Sequence, residues 1–137
     1  MEIGRSERRR EISDFFVKGD YAGLERLGLK MSQSSAADCA HYVLLTLNII
    51  HTPRAFDALH SLPKSETPHP GSNIIIYGYP FENLHYGFYD GKKVTSKWGK
   101  GPVFKHAIED VPVQYGDSVK FASRDDALVL LSSADGS

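Results

Sequence analysis

At Asn73 the hydrophobic pattern changes period, and that change constrains the fold more than any other feature of the chain. Before it, apolar residues recur at helical spacing. After it, β-branched and aromatic residues come in extended runs. Residues 73–79 (NIIIYGY) read as a buried strand, 84–89 as a second and 92–98 as a returning one. Asp90-Gly91 between the last two is a strong signal for a two-residue hairpin turn. Residues 111–121 predict one or two further short strands, interrupted at Tyr115-Gly116-Asp117. Residues 127–131 fit a last strand or helix, and 135–137 are expected to fray.

The N-terminal half reads as helices. Ile12, Phe15 and Phe16 form an apolar stripe over residues 6–17, which Gly19 breaks. Asp20 is suited to cap a second helix carrying Tyr21, Leu24 and Leu27, with Gly28 at its end. Residues 31–37 look like loop. Ser35 and Asp38 resemble a capping box for a third helix over 36–50, with Ala40, Val43, Leu44 and Leu47 on its apolar face. Thr52-Pro53 stops that helix, 54–62 predict another short one, and the proline-rich residues 63–72 predict loop. Helices first and strands afterwards make an α+β fold. At 137 residues the chain suits a single domain, with a helical segment at 1–30 and a core at 31–134.

Composition limits the function classes. A formal net charge of -1 implies no general affinity for nucleic acid or for an anionic membrane. Arg5, Arg8, Arg9 and Arg10 read as a solvated helix face or frayed tail, with a contact patch as the alternative. There is no run apolar enough to span a membrane and no conventional secretory signal. The single cysteine excludes an internal disulfide and fits a reducing compartment. A cytoplasmic location is expected, or export by a specialised secretion system. No cofactor and no obligate partner is implied, and one cysteine with scattered histidines lacks the ligand spacing of a zinc site.

Cys39 is expected in the first turn of the third helix, where free N–H groups and the helix dipole favour a thiolate. The competing reading is a buried structural cysteine. Of the six histidines, His41 points away from Cys39 on the same helix, and His51, His60 and His69 fall in or near loops. His106 has no nameable partner. His85 sits in a strand beside the turn. If Asp90 and Gly91 are the two loop residues, His85 pairs with Ser96, which then holds the imidazole as the third member of a triad. A loop one residue longer puts Lys97 there instead. A polar cross-strand pair without catalytic meaning fits the same register.

The order Asp38-Cys39-Ala40, then Pro70-Gly71-Ser72-Asn73 before an apolar strand, then His85-Tyr86-Gly87-Phe88-Tyr89-Asp90-Gly91, resembles the NlpC/P60-like branch of the papain-like superfamily. The run from His85 through Thr95-Ser96-Lys97-Trp98-Gly99 to Tyr115-Gly116 is similar to an uncharacterised bacterial subfamily of that type. The resemblance covers residues 38–98. It departs from the family at Asn73, where Asp is usual, and at Ser96, where His, Asn or Gln is usual. No upstream Tyr-x-x-Gly-Gly element is visible. The resemblance implies a papain-like fold, with the nucleophile helix packed on a small antiparallel sheet. It also implies a peptidase or amidase that cleaves an amide of a peptide or protein. Cys39 would be the nucleophile, His85 the base and Ser96 the orienting residue. Trp98 and Tyr86 are candidates for the substrate groove, with ordinary sheet packing as the alternative. The same acyl-enzyme would serve a deamidase or transamidase acting as a toxin or effector. A non-catalytic binding module with a degenerate site is the third possibility.

Overall fold

Four helices open by one device, a side-chain oxygen that accepts the N–H three residues on. Ser6 accepts from Arg9 at 3.1 Å, Asp20 from Gly23 at 3.0 Å, Asp38 from His41 at 2.9 Å and Thr52 from Ala55 at 3.1 Å. Each bond satisfies an N–H that the helix itself leaves unpaired. The helices are α1 (Glu7–Lys18), α2 (Tyr21–Arg26), α3 (Cys39–Thr46) and α4 (Pro53–His60). A last helix, α5 (Arg124–Gly136), starts where the Asn73 side chain accepts the Arg124 N–H at 2.8 Å. The computed structural model describes residues 1–78 and 84–136. Tyr79, the end of the first expected strand, and Ser137 of the expected frayed end lie outside the described residues.

Six strands form one sheet: β1 (Lys30–Ser32), β2 (Ile74–Tyr77), β3 (His85–Tyr89), β4 (Val94–Lys97), β5 (Val103–His106) and β6 (Val119–Ala122). Their order is β1-β5-β4-β3-β2-β6, and neighbouring strands are antiparallel. The fold is α+β. Because side chains alternate along a strand, the sheet separates two apolar clusters. On one face Ile75, Tyr77, Tyr89, Trp98, Phe104 and Phe121 pack with Ile12 of α1 and Leu24 of α2. On the other, Ile74, Ile76, Tyr86 and Ala122 pack with Val43 and Leu44 of α3, Leu59 of α4 and Ala127 of α5.

Several expectations are corrected. The third helix is shorter than 36–50, because Asn48 at φ 61° turns the chain out of helical geometry. Asp38 alone caps it, without Ser35. Residues 30–32 are an edge strand rather than loop, and β5 was not expected at all. Two open expectations are resolved: of the one or two strands expected in 111–121 one forms, preceded by a 3-10 turn at Val113–Tyr115, and 127–131, expected as strand or helix, belong to a helix.

The hairpin register also differs. Phe88 pairs with Thr95 and Tyr89 with Val94, so the turn centres on Gly91-Lys92 rather than on Asp90-Gly91. Gly91 adopts φ 100°, which suits the first central position of a tight hairpin turn. Asp90 lies one residue earlier and fastens the turn, its carboxylate accepting the N–H groups of Lys92 at 2.8 Å and Lys93 at 2.7 Å.

Candidate active site around Cys39

Cys39 is the first residue of α3, directly after the capping Asp38. The backbone N–H of Tyr86 is close enough to pull the Cys39 thiol pKa down, and the sheet explains why that N–H is not taken by a neighbouring strand. Tyr89 donates its N–H to Asn73 on the β2 side at 3.0 Å. By alternation the Tyr86 N–H faces β4. The pairing of β3 with β4 has ended by then, at Phe88 and Thr95, while β4 stays paired with β5 as far as Lys97. The two strands therefore part beside His85 and Tyr86, and Cys39 packs against the cluster that contains Tyr86.

The expectation of a thiolate-favouring site is corrected. Burial pushes the half-buried Cys39 thiol above its ordinary value, and the charge of Asp38 raises it further. The N–H groups of Tyr86, Ala40 and Cys39 pull the other way without offsetting that rise.

His85 is buried, and burial lowers its pKa to about 3, with the charge of His106 as the smaller cause. It is a neutral imidazole at pH 7. Its ring stacks on Tyr115 at 3.9 Å between centroids and 3° between planes. Its Nε2 is buried without a hydrogen-bond partner among the described residues. In particular, none runs from it to Cys39.

Ser96 does not orient His85. In the observed register it follows Thr95, which pairs with Phe88, so Ser96 comes level with Gly87 and neither it nor Lys97 faces His85. The Ser96 hydroxyl instead lies 3.0 Å from His106 Nε2 and accepts the Trp98 indole N–H at 3.0 Å. His106 Nδ1 is 2.7 Å from the Ala107 carbonyl. These distances describe a closed buried chain: the indole N–H donates to Ser96, Ser96 to His106, and His106 to a backbone carbonyl. Trp98 is 1% exposed and packs against Phe16, Phe104 and Tyr115, so it is a core residue rather than a groove wall. Lys97 is also committed, its ammonium donating to the Gly101 carbonyl at 2.6 Å.

Tyr86 and Tyr115 carry the other two buried polar atoms without hydrogen-bond partners among the described residues, their hydroxyls. Burial raises both phenol pKa values, and the Cys39 charge adds to both shifts, so each hydroxyl lies within electrostatic reach of the sulfur. Tyr86 had been singled out from sequence; Tyr115 had been seen only as part of a Tyr-Gly turn. Its position is set by a residue that looked like surface. Arg9 is 1% exposed, and its guanidinium donates to the carbonyls of Val111, Pro112 and Gly116 and to Asp117. Ser13 accepts the Val113 N–H at 2.7 Å. Helix α1 thus grips the turn that carries Tyr115.

No protein-family model matches the chain, and no curated protein or solved structure is significantly similar to it. The remaining histidines have local roles. His41 accepts the Ala37 N–H at 2.9 Å and stacks on His51, and His60 packs on Phe56 with its ring 5.5 Å from that of Tyr86. Among the described residues no three metal-ligating side chains come together, and no helix is long and apolar enough to cross a membrane.

Proposed function

We propose that the chain is a papain-like cysteine hydrolase of the NlpC/P60 type, cleaving an amide of a peptide or protein with Cys39 as nucleophile and His85 as base. One observation carries the reading. Cys39 at the start of α3 packs against the cluster that holds Tyr86, the neighbour of His85, where β3 and β4 part. Three buried polar atoms are without partners among the described residues, on His85, Tyr86 and Tyr115, and the two phenols feel the charge of Cys39. Buried polar groups are nearly always paired, and exceptions gather where a ligand completes them.

Both partners rest uncharged, because burial raises the thiol and holds the imidazole near 3. The proton therefore moves during attack rather than beforehand. As substrate draws the two groups into hydrogen-bond reach, Cys39 gives its proton to His85 and its sulfur bonds to the carbonyl carbon. The carbonyl π pair moves onto oxygen, and the Cys39 N–H at the helix start can donate a hydrogen bond to that oxyanion. Collapse breaks the C–N bond, and His85 returns its proton to the departing amine. Water then hydrolyses the thioester.

The lack of a hydrogen bond between Cys39 and His85 and the raised thiol pKa favour a second reading, a binding module with a degenerate site. One experiment separates the two: acetylation of Cys39 by p-nitrophenyl acetate, followed by intact mass between pH 6 and 9. The hydrolase reading expects acylation and turnover that fall about 10²-fold or more in His85→Gln. Equal acylation in the two proteins, with no turnover, would establish the binding module.

A further inference from the structure

We infer that Tyr115 is a working group of this site. Its hydroxyl donates a hydrogen bond to the substrate oxygen that becomes negative when Cys39 attacks, and its ring holds the plane of the His85 imidazole. The inference rests on the cysteine-hydrolase reading and supplies what that reading lacks, a side-chain donor to accompany the Cys39 N–H.

The supporting observations concern one side chain. The Tyr115 ring lies flat on His85 at 3.9 Å, while its hydroxyl at the far end of the ring is buried and unpartnered among the described residues. That hydroxyl feels the charge of Cys39. A single rigid phenol therefore stacks on the base while its buried hydroxyl lies within electrostatic reach of the nucleophile. Leaving a buried hydroxyl unpaired costs about 1–3 kcal/mol, and the fold commits several bonds to holding it there. Arg9 fastens the carbonyls on either side of the 3-10 turn, and Ser13 holds its first N–H. A phenol shifted upward by burial stays protonated, so it remains a donor throughout the neutral range.

The chemistry balances without a further reactant. The S–C bond forms as the Cys39 proton passes to His85, the π pair moves to oxygen, and Tyr115 donates a hydrogen bond while keeping its proton. When His85 becomes an imidazolium, the face of the Tyr115 ring lies where a cation is attracted to it. Tyr86 has an unpartnered hydroxyl too, but its ring packs among apolar residues of α3, α4 and β2 and does not touch His85.

The test uses Tyr115→Phe, which keeps the ring and deletes only the hydroxyl. The probe is N-acetylglycinal carrying ¹³C at its aldehyde carbon. Its hemithioacetal with Cys39 places an oxygen where the oxyanion would form. Affinity read by NMR should fall about tenfold or more in Tyr115→Phe, in line with loss of one such donor. Modification of Cys39 by methyl methanethiosulfonate, which has no carbonyl, should change less than about twofold. The thermal midpoint should stay level or rise, because an unpaired polar atom has been removed. Equal aldehyde affinity in the two proteins overturns the role of Tyr115 and leaves the hydrolase reading standing. Absence of any hemithioacetal in the unaltered protein overturns both. A purely structural Tyr115 would move the midpoint and leave the aldehyde affinity unchanged.

Discussion

His85 and His106 share one property, that burial keeps each imidazole neutral. Burial is the larger cause for both and takes them from 6.5 to about 3 and about 4. The unfolded chain therefore binds more protons than the folded one between about pH 3 and 6.5. Stability rises with pH across that window, is fully present above 6.5, and is lost as pH falls. Each histidine contributes a slope of up to about 1.4 kcal/mol per pH unit. Urea unfolding at pH 7, 5.5 and 4.5 should show a loss of several kcal/mol, most of it from the two histidines down to about pH 5, below which carboxylates also begin to protonate. In His106→Gln the slope should drop to roughly half. A flat profile from pH 7 to 4.5 would mean that neither ring is sealed in neutral form. The same neutrality shapes the proposed chemistry, since an imidazole held this low accepts a proton only with help from a substrate complex.

The elements show how far the sequence could be read. Helix starts were partly legible because capping is local: Asp20 stands next to the helix it opens, whereas Ser6 read as part of the first helix and Thr52 as the end of the third, and both are caps. The places of Cys39 at a helix start and of His85 in a strand were legible because each sits near such a local signal, a cap and a turn. What failed depended on longer-range geometry. Asp-Gly is ambiguous by one residue about which two positions form the turn, and moving that turn by one changed every cross-strand partner by two. Ser96 thereby passed from His85 to the neighbourhood of Gly87. Tyr115 could not be recognised, because its value comes from Arg9 and His85, both distant in sequence. The neighbours of Gly87 fill the space beside it. A Cβ there would stand 2.7 Å from Val94 Cγ1, 3.0 Å from Ile75 Cγ2 and 3.2 Å from Ser96 Cβ. Glycine in a strand marks such a close approach. Gly87→Ala should cost about 1–3 kcal/mol as overpacking, seen as a lower denaturation midpoint with an unchanged m-value. An unchanged midpoint would show that β2 and β4 can yield.

For the molecule as a whole, the sheet acts as a partition with α1 and α2 on one side and α3, α4 and α5 on the other. Cys39 reaches the sheet from the second side, whereas Tyr115 and the stacked His85 belong to the first. The proposed chemistry needs them to meet where β3 and β4 part, so it would depend on both halves being held in register. Arg9 makes the principal polar tie on the first side. It joins α1 to Gly4 and to the 111–117 segment, and its ion pair with Asp117 at 2.9 Å has the guanidinium buried. Arg5 also pairs with Asp117 at 2.9 Å, but 59% of its side chain is exposed. The two arginines should therefore differ sharply. Arg5→Ala should change stability by less than about 1 kcal/mol, as expected for a solvated pair. Arg9→Met preserves length and apolar bulk yet strips donors from several buried carbonyls and a carboxylate. Its cost should be about 3 kcal/mol or more. Native-state hydrogen exchange supplies the spatial check: amides 113–117 should lose protection in Arg9→Met before those of β2 and β3 do. Equal midpoints for the two variants would show that Arg9 is only another surface charge, and that the Tyr115 turn is held without it.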